Sequence, residues 1–196
     1  DLPIGKGKLS TGAKYSNIVT SNAFKQYDLN GATPQIDENR TSDFIYTEQV
    51  SALYASYFSK IGEKISLNAG LRMENTLSKG DLDSFKDIND DLVERTYTNL
   101  FPSGGITYAM NKGNQFSVNY SRRIDRPNYQ DLNPFEFQLD QLTYEKGNPF
   151  IRPQYTHNIQ VTHTFKSTLS TRLSYSVTND FFAKVIEKVN DSTTLL

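Results

Sequence analysis

The run Lys64-Ile65-Ser66-Leu67-Asn68-Ala69-Gly70-Leu71-Arg72-Met73-Glu74-Asn75-Thr76 alternates apolar and polar residues almost one for one. Side chains of a strand switch faces at every residue. Ile65, Leu67, Ala69, Leu71 and Met73 therefore share an oily face, while Ser66, Asn68, Arg72, Glu74 and Thr76 share a wet one that carries both an arginine and a glutamate. The same parity recurs from Gln115 to Ile124, with Phe116, Val118, Tyr120 and Ile124 against Ser117, Asn119, Ser121 and Arg123. It recurs again at Asn158–Phe165 and Thr171–Thr178, and more weakly from Leu9 to Ser16. Between Phe44 and Ser59 strand formers abound with mixed parity, since Leu53 and Tyr57 oppose Val50, Ala52, Tyr54 and Phe58. Repeated long two-faced strands are what a transmembrane barrel needs, with lipid on one face and a polar lumen on the other. Arg122, on the oily parity near a strand end, is expected to snorkel to the interface.

The connections fall into two classes. Lys60-Ile61-Gly62-Glu63, Asn111-Lys112-Gly113-Asn114 and Lys166-Ser167-Thr168 are short and fit hairpin turns. Asp28–Ser42, Ser78–Arg95 and Arg126–Tyr155 are long and polar, and they alternate with the short turns. Outer-membrane barrels have short periplasmic turns and long outside loops, which places the short turns in the periplasm. Strands are expected near residues 7–27, 40–59, 63–78, 95–110, 114–126, 155–166 and 169–189, with an eighth after Asn190-Asp191-Ser192. Several exceed the ~9–11 residues that cross a bilayer, so they should rise above its surface. The fold class expected is all-β, an antiparallel up-and-down meander of about 7–8 strands forming part of a larger transmembrane barrel. Seven or eight strands left open would present unpaired edges to lipid, so the sheet needs more strands or must close.

Composition agrees. An apolar fraction of 36% and a mean hydropathy of −0.59 suit a wall in which only alternate residues are oily. No stretch approaches the ~18 consecutive apolar residues of a membrane helix. A net charge of −1 and a pI near 6.2 give no electrostatic case for nucleic acid. With no cysteine there is neither a disulfide framework nor a thiolate metal site. Twelve Tyr and twelve Phe supply an aromatic load of the kind used at membrane interfaces. The chain begins Asp1-Leu2-Pro3 without a basic region or an apolar signal core, so an export signal is expected outside it, and residues 1–196 read as a fragment of one barrel domain.

The run Ser121-Arg122-Arg123-Ile124-Asp125-Arg126-Pro127-Asn128-Tyr129-Gln130-Asp131-Leu132-Asn133-Pro134-Phe135, followed by Thr143-Tyr144-Glu145-Lys146-Gly147-Asn148-Pro149-Phe150-Ile151-Arg152-Pro153, resembles the barrel of TonB-dependent outer-membrane receptors, in the outer-membrane β-barrel family abundant in Bacteroidetes. Phe44-x-Tyr46-x-Glu48, Gly70-Leu71-Arg72-x-Glu74-x-Thr76 and Leu100-Phe101-Pro102-Ser103 fall in that family's order, and Gln154 departs from it where glutamate is usual. The resemblance implies a barrel of about 22 strands, the size of plugged transporters. It also implies import of a bulky ligand into the cell past an N-terminal plug, with energy from a TonB complex contacted through that same N-terminal part. The partners implied are therefore outer-membrane lipid, the remaining wall and plug, TonB, and a ligand the residues do not name.

Sites weigh as follows. Asp87-x-Asn89-x-Asp91 resembles the start of a calcium loop, but Leu92 and Thr98 stand where glycine and the bidentate glutamate belong, so a solvated acidic loop is the reading preferred. His157 and His163 lack an acidic or thiolate companion and read as interfacial aromatics, and Gly5-Lys6-Gly7-Lys8 lacks phosphate-loop spacing. No metal, cofactor or catalytic residue is expected. Candidate ligand contacts at the lumen or rim are Arg72, Glu74, Asn119, Arg123 and Arg126. The arginines have two readings, ion pairs that pin the long loop or contact with an anionic ligand. Arg126, Pro127, Asn133, Pro134, Gly147, Asn148, Pro149 and Pro153 are expected to fix the loop's path, with Arg126 tied to a loop carboxylate such as Asp131 or Asp140. A small structural or adhesive barrel stays open as an alternative, decided by whether the reading frame continues well past Leu196. A soluble carbohydrate-binding β-sandwich is disfavoured by the long strands and one-sided loops.

Overall fold

The computed structural model describes all residues except Asp87, Gln141, Asp191, Ser192 and Leu196. In chain order the elements are β1 (Leu2–Ile4), β2 (Gly7–Phe24), β3 (Tyr27–Asp28), β4 (Gln35–Ile36), a 3₁₀ turn (Glu38–Arg40), β5 (Ser42–Ile61), β6 (Ile65–Ser84), β7 (Leu92–Asn111) and β8 (Asn114–Asp125). There follow α1 (Tyr129–Leu132), β9 (Glu136–Gln138), β10 (Thr143–Lys146), β11 (Gln154–Phe165), β12 (Leu169–Asn179), β13 (Glu187–Asn190) and β14 (Thr193–Leu195). Eight strands form one antiparallel sheet in the order β1-β2-β5-β6-β7-β8-β11-β12, each strand beside its chain neighbour within that sheet. Such a meander needs only hairpin connections, because adjacent strands run in opposite directions.

Register decides the faces. Leu67 pairs with Ile106, Ile106 with Val118, Val118 with Val161 and Val161 with Leu173, so one oily row runs across five strands. Asn68, Gly105, Asn119, Gln160 and Ser174 form the corresponding wet row on the other face. The mixed parity of β5 resolves in the same register. Leu53 and Tyr57 join the oily face opposite Met73 and Ala69, while Ala52, Tyr54 and Phe58 turn inward opposite Glu74, Arg72 and Asn68.

On β6 the oily run ends at Met73, and Asn75 stands ten positions beyond Ile65. At about 3.3 Å per residue and a tilt near 45°, that is roughly 23 Å of height, close to the ~25 Å apolar band of outer-membrane barrels. β5, β6 and β7 have 20 residues each, so their upper halves project above the band. The expected loop from Ser78 to Arg95 is therefore mostly strand, with only the connection after Ser84 and before Leu92 outside the ladder. Polar residues there are compatible with pairing because this part of the sheet lies outside lipid; Lys79 and Asp81 meet at 2.9 Å on it.

Two further expectations are corrected. The strand expected over 169–189 stops at Asn179, where Asp180 takes a left-handed backbone with φ 54°. The eighth wall strand is β1 at the other end of the sheet, while β14 pairs instead with β13 and, in parallel, with β10. Asp191 and Ser192 of the expected boundary lie outside the described residues.

The core sits off the main band, on the wet face of the upper strands. Phe44 and Leu82, cross-strand partners, bury against Phe135 from the long loop, with Phe24, Tyr46, Ile88, Tyr129 and Phe137 around them. Phe137 meets Phe24 and Phe135 edge-on at 5.4 and 5.2 Å. The loop from Arg126 to Pro153 is thus folded inward, over the lumen side of the sheet.

Candidate functional site

The inward loop is built from local rules. Asn128 caps α1, accepting from the N–H groups of Gln130 and Asp131, and Asp131 returns the bond to the Asn128 N–H, so both ends of a capping box are made. Asn133, almost fully buried, accepts from the Phe135 N–H and closes a turn. Gly147 and Asn148 then donate to the carbonyls of Asn133 and Asp131 at 2.9 and 2.7 Å. A Cβ on Gly147 would stand 2.5 to 2.6 Å from the carbonyl oxygens of Gln130, Asp131 and Asn133, so the approach requires glycine. Asn148 turns the chain once more by accepting from the Phe150 N–H. Pro127, Pro134 and Pro153 are buried. Pro127, Pro149 and Pro153 line the narrow space around Arg126 together with Tyr46, Tyr97 and Leu132.

Arg126 joins this loop to the wall. Its guanidinium donates to Glu74 Oε2 at 2.8 Å and Thr76 Oγ1 at 3.0 Å, reaches the Tyr97 hydroxyl at 3.3 Å, and stands 3.8 Å from Glu48 Oε2. Glu74 also meets Arg72 at 3.2 Å, and Arg72 lies over the Phe101 ring. Tyr46 donates to Glu48 at 3.2 Å from the part of β5 above the membrane. Burial, then the Glu48 charge, pushes its phenol pKa up, which keeps it a donor. A second tie comes from Arg95, which donates to the carbonyls of Pro149 and Ile151.

The carboxylate partner differs from the one expected. Asp131 is taken by the α1 cap, and Asp140 by the Leu142 N–H at 2.8 Å, a bond that lowers its carboxyl pKa. Arg126 reaches the strands instead, because it follows β8 directly and the wet parity of β5 and β6 offers Glu48 and Glu74 at that height. Glu48, Thr76, Arg95 and Tyr97 were not singled out as site residues by the sequence, yet all four carry wet parity, and Thr76, Arg95 and Tyr97 adjoin an end of the expected loop, a signal that was available.

Below this rim the wall is a polar hollow. Lys8, Asn68, Asn119, Arg123, Asn158 and Gln160 line it, over a floor that includes Ser56, Gly70, Ser103 and Ser121. The ligand candidates thus divide. Arg72, Glu74 and Arg126 belong to the rim lock, while Asn119 and Arg123 face the hollow.

Arg122 does not snorkel. β7–β8 pairing ends at Ser103–Ser121, next to Pro102, which has no N–H to give. Arg122 fills the gap, donating to the Leu100 carbonyl at 2.6 Å with its guanidinium over the rings of Tyr155 and Phe101. Gln154, in the place where glutamate is usual, donates to Asp125, its cross-strand partner, at 2.9 Å. His157 bonds the Tyr120 hydroxyl, and His163 bonds Asn114 and stacks on Phe116. Asp87 of the calcium-like spacing lies outside the described residues, and among those described no group of three or more His, Cys, Asp or Glu is placed to hold a metal.

Comparison with known proteins adds the following. The model of the outer membrane protein beta-barrel family matches residues 1–196. Among solved structures, the chain is similar in fold to the ferric-catecholate import receptor Fiu from K12 E. coli in its closed form, with a TM-score of 0.64 at 15% identity. That match covers 96% of this chain and 30% of the receptor, so the chain spans less than a third of its length. No curated protein matches.

Proposed function

The chain belongs to the outer membrane protein beta-barrel family and lies in the outer membrane, and we propose that it forms part of the wall of a TonB-coupled receptor that imports a bulky ligand past a plug, without chemistry on that ligand. The observation that carries this reading is the loop held inside the barrel mouth by Arg126 and Arg95 above a water-facing hollow. A merely adhesive barrel has no need of an ordered lumen-side fold over a polar wall. The likeness of fold to an import receptor supports the same reading. Asn119 and Arg123 are the ligand-facing residues on this wall, and Arg72, Glu74 and Arg126 shape the mouth. The test is whether the purified full-length protein binds the periplasmic domain of TonB. Binding that is lost when the segment before the barrel is deleted supports the proposal. A full-length protein that does not bind supports the small structural barrel in its place.

A further inference from the structure

We propose that the short-turn end of this wall binds anionic phospholipid headgroups of the adjoining leaflet, through one lysine on each of four turns, Lys6, Lys64, Lys112 and Lys166. This needs only the barrel and the facing of its strands, not the import of a ligand. The turns are Gly5-Lys6, Gly62-Glu63-Lys64, Lys112-Gly113 and Lys166-Ser167-Thr168, each with a single lysine, and Glu63 is their one acid. All four lysines are exposed, and none has a carboxylate within ion-pair distance among the described residues. At the opposite end of the wall Arg40, Lys146 and Lys184 each meet a carboxylate. Hairpin geometry does not ask for lysine. Lys166 and Ser167 take left-handed backbones, φ 46° and 57°, where glycine or asparagine fits at lower cost. A local preference set aside in this way points to a role for the side chain.

Height and direction fit lipid. Three of the hairpins close above the turn on a pair of oily parity, Ile61–Ile65, Tyr108–Phe116 and Phe165–Leu169. These pairs mark the lower margin of the apolar band, so the lysine beyond each stands where headgroups begin. Lys166 shows the direction, with its ammonium 5.2 Å from the centroid of the lipid-facing Phe165 ring. The outward side of these turns adjoins lipid, whatever fills the lumen. Lys8 and Lys60 carry wet parity and are not part of the set. Neighbouring turns are two strands apart, about 10 Å. Each lysine therefore meets a headgroup of its own, and the row matches a continuous anionic surface, which attracts basic residues at this level.

The test uses full-length protein in phosphatidylcholine vesicles, with bimane at Ile61→Cys or Leu169→Cys at the lower margin and at Met73→Cys near the upper end of the oily run. Trace phosphatidylglycerol carrying a nitroxide beside its headgroup is compared with phosphatidylcholine carrying the same label. At Ile61→Cys and Leu169→Cys the phosphatidylglycerol should quench about threefold more strongly, an enrichment within reach of one basic residue beside an anionic headgroup. At Met73→Cys the two lipids should quench alike. Lys6→Gln, Lys64→Gln, Lys112→Gln and Lys166→Gln together should bring the ratio at both lower sites to about one, and added salt should lower it in the parent. Lys166→Gln alone should do most of this at Leu169→Cys and little at Ile61→Cys, which keeps the test usable if the quadruple variant folds poorly by heat-modifiability on gels. Sodium phosphate and sodium chloride at matched ionic strength should act alike. Loss of the preference in phosphate alone would mark a site for free phosphate and overturn the proposal. A ratio of one at the lower sites in the parent, a ratio that survives the lysine substitutions, or the same preference at Met73→Cys also overturns it, the first of these leaving the lysines to an acidic polypeptide in place of lipid.

Discussion

The Arg126 guanidinium and the Glu74 carboxylate, 52 residues apart in the chain, meet at 2.8 Å and fasten an outside loop to the inner face of the wall. Both side chains are mostly buried, at 22% and 10% exposure. Arg126→Ala should therefore leave Glu74 with Arg72 alone and cost the loop about 2 kcal/mol, the worth of a charged hydrogen bond. The measurement is limited proteolysis between Pro127 and Pro153 in the folded full-length protein. Cleavage should quicken severalfold, and Arg126→Lys should restore little, since a point charge cannot serve Glu74, Thr76 and Tyr97 together. Unchanged protease resistance with lost ligand binding would make Arg126 a ligand contact instead.

Gly147 stands against three carbonyl oxygens. Gly147→Ala should force α1 and the returning strand apart and expose the same loop to protease, as Arg126→Ala does, while the barrel stays heat-modifiable. Gly113→Ala, where an added Cβ meets nothing closer than 3.6 Å, is the control expected to change little.

Gln154 faces Asp125 across the β8–β11 ladder. Gln154→Glu should place two carboxylates opposite each other and lower the unfolding midpoint at pH 7, since like charges directly across a sheet destabilise it. The difference from the parent should shrink as salt is raised, since exposed charges are screened. A salt-independent difference would show that the amide matters by shape and not by charge.

Leu71→Arg and Arg72→Leu change neighbours on opposite faces. The first puts a charge toward lipid near the middle of the apolar band and should cost about 2–4 kcal/mol. The second removes a lumen charge and should cost less. Equal loss of heat-modifiable protein on gels would contradict the facing.

Much of the fold was legible because the sequence's period of two is a local property that tertiary context did not override. β6, β8, β11 and β12 carry their faces in plain alternation, and the three short turns lie where Gly, Asn and Lys signal them. The strand ends were less legible. Ser78–Ser84 is polar enough to read as loop, and it pairs only because it projects beyond lipid beside a loop that buries Leu82. Mixed parity in β5 could not be assigned before the register with β6 placed Tyr54 and Phe58 in the lumen. Of the site, the loop motif could be named from its prolines and asparagines, but the partner of Arg126 could not. A carboxylate 52 residues away is chosen by sheet height, which only the register fixes.

The facing of the wall can be read most directly with single cysteines, since the chain has none of its own. Bimane placed at Leu71→Cys, Val118→Cys and Leu173→Cys, and separately at Asn68→Cys, Asn119→Cys and Ser174→Cys, would be measured in the full-length protein in vesicles carrying nitroxide-labelled acyl chains. Lipid nitroxides should quench the first set strongly and leave the second bright. Similar quenching of both sets, or quenching of the second set alone, would contradict a barrel wall with this inside and this outside.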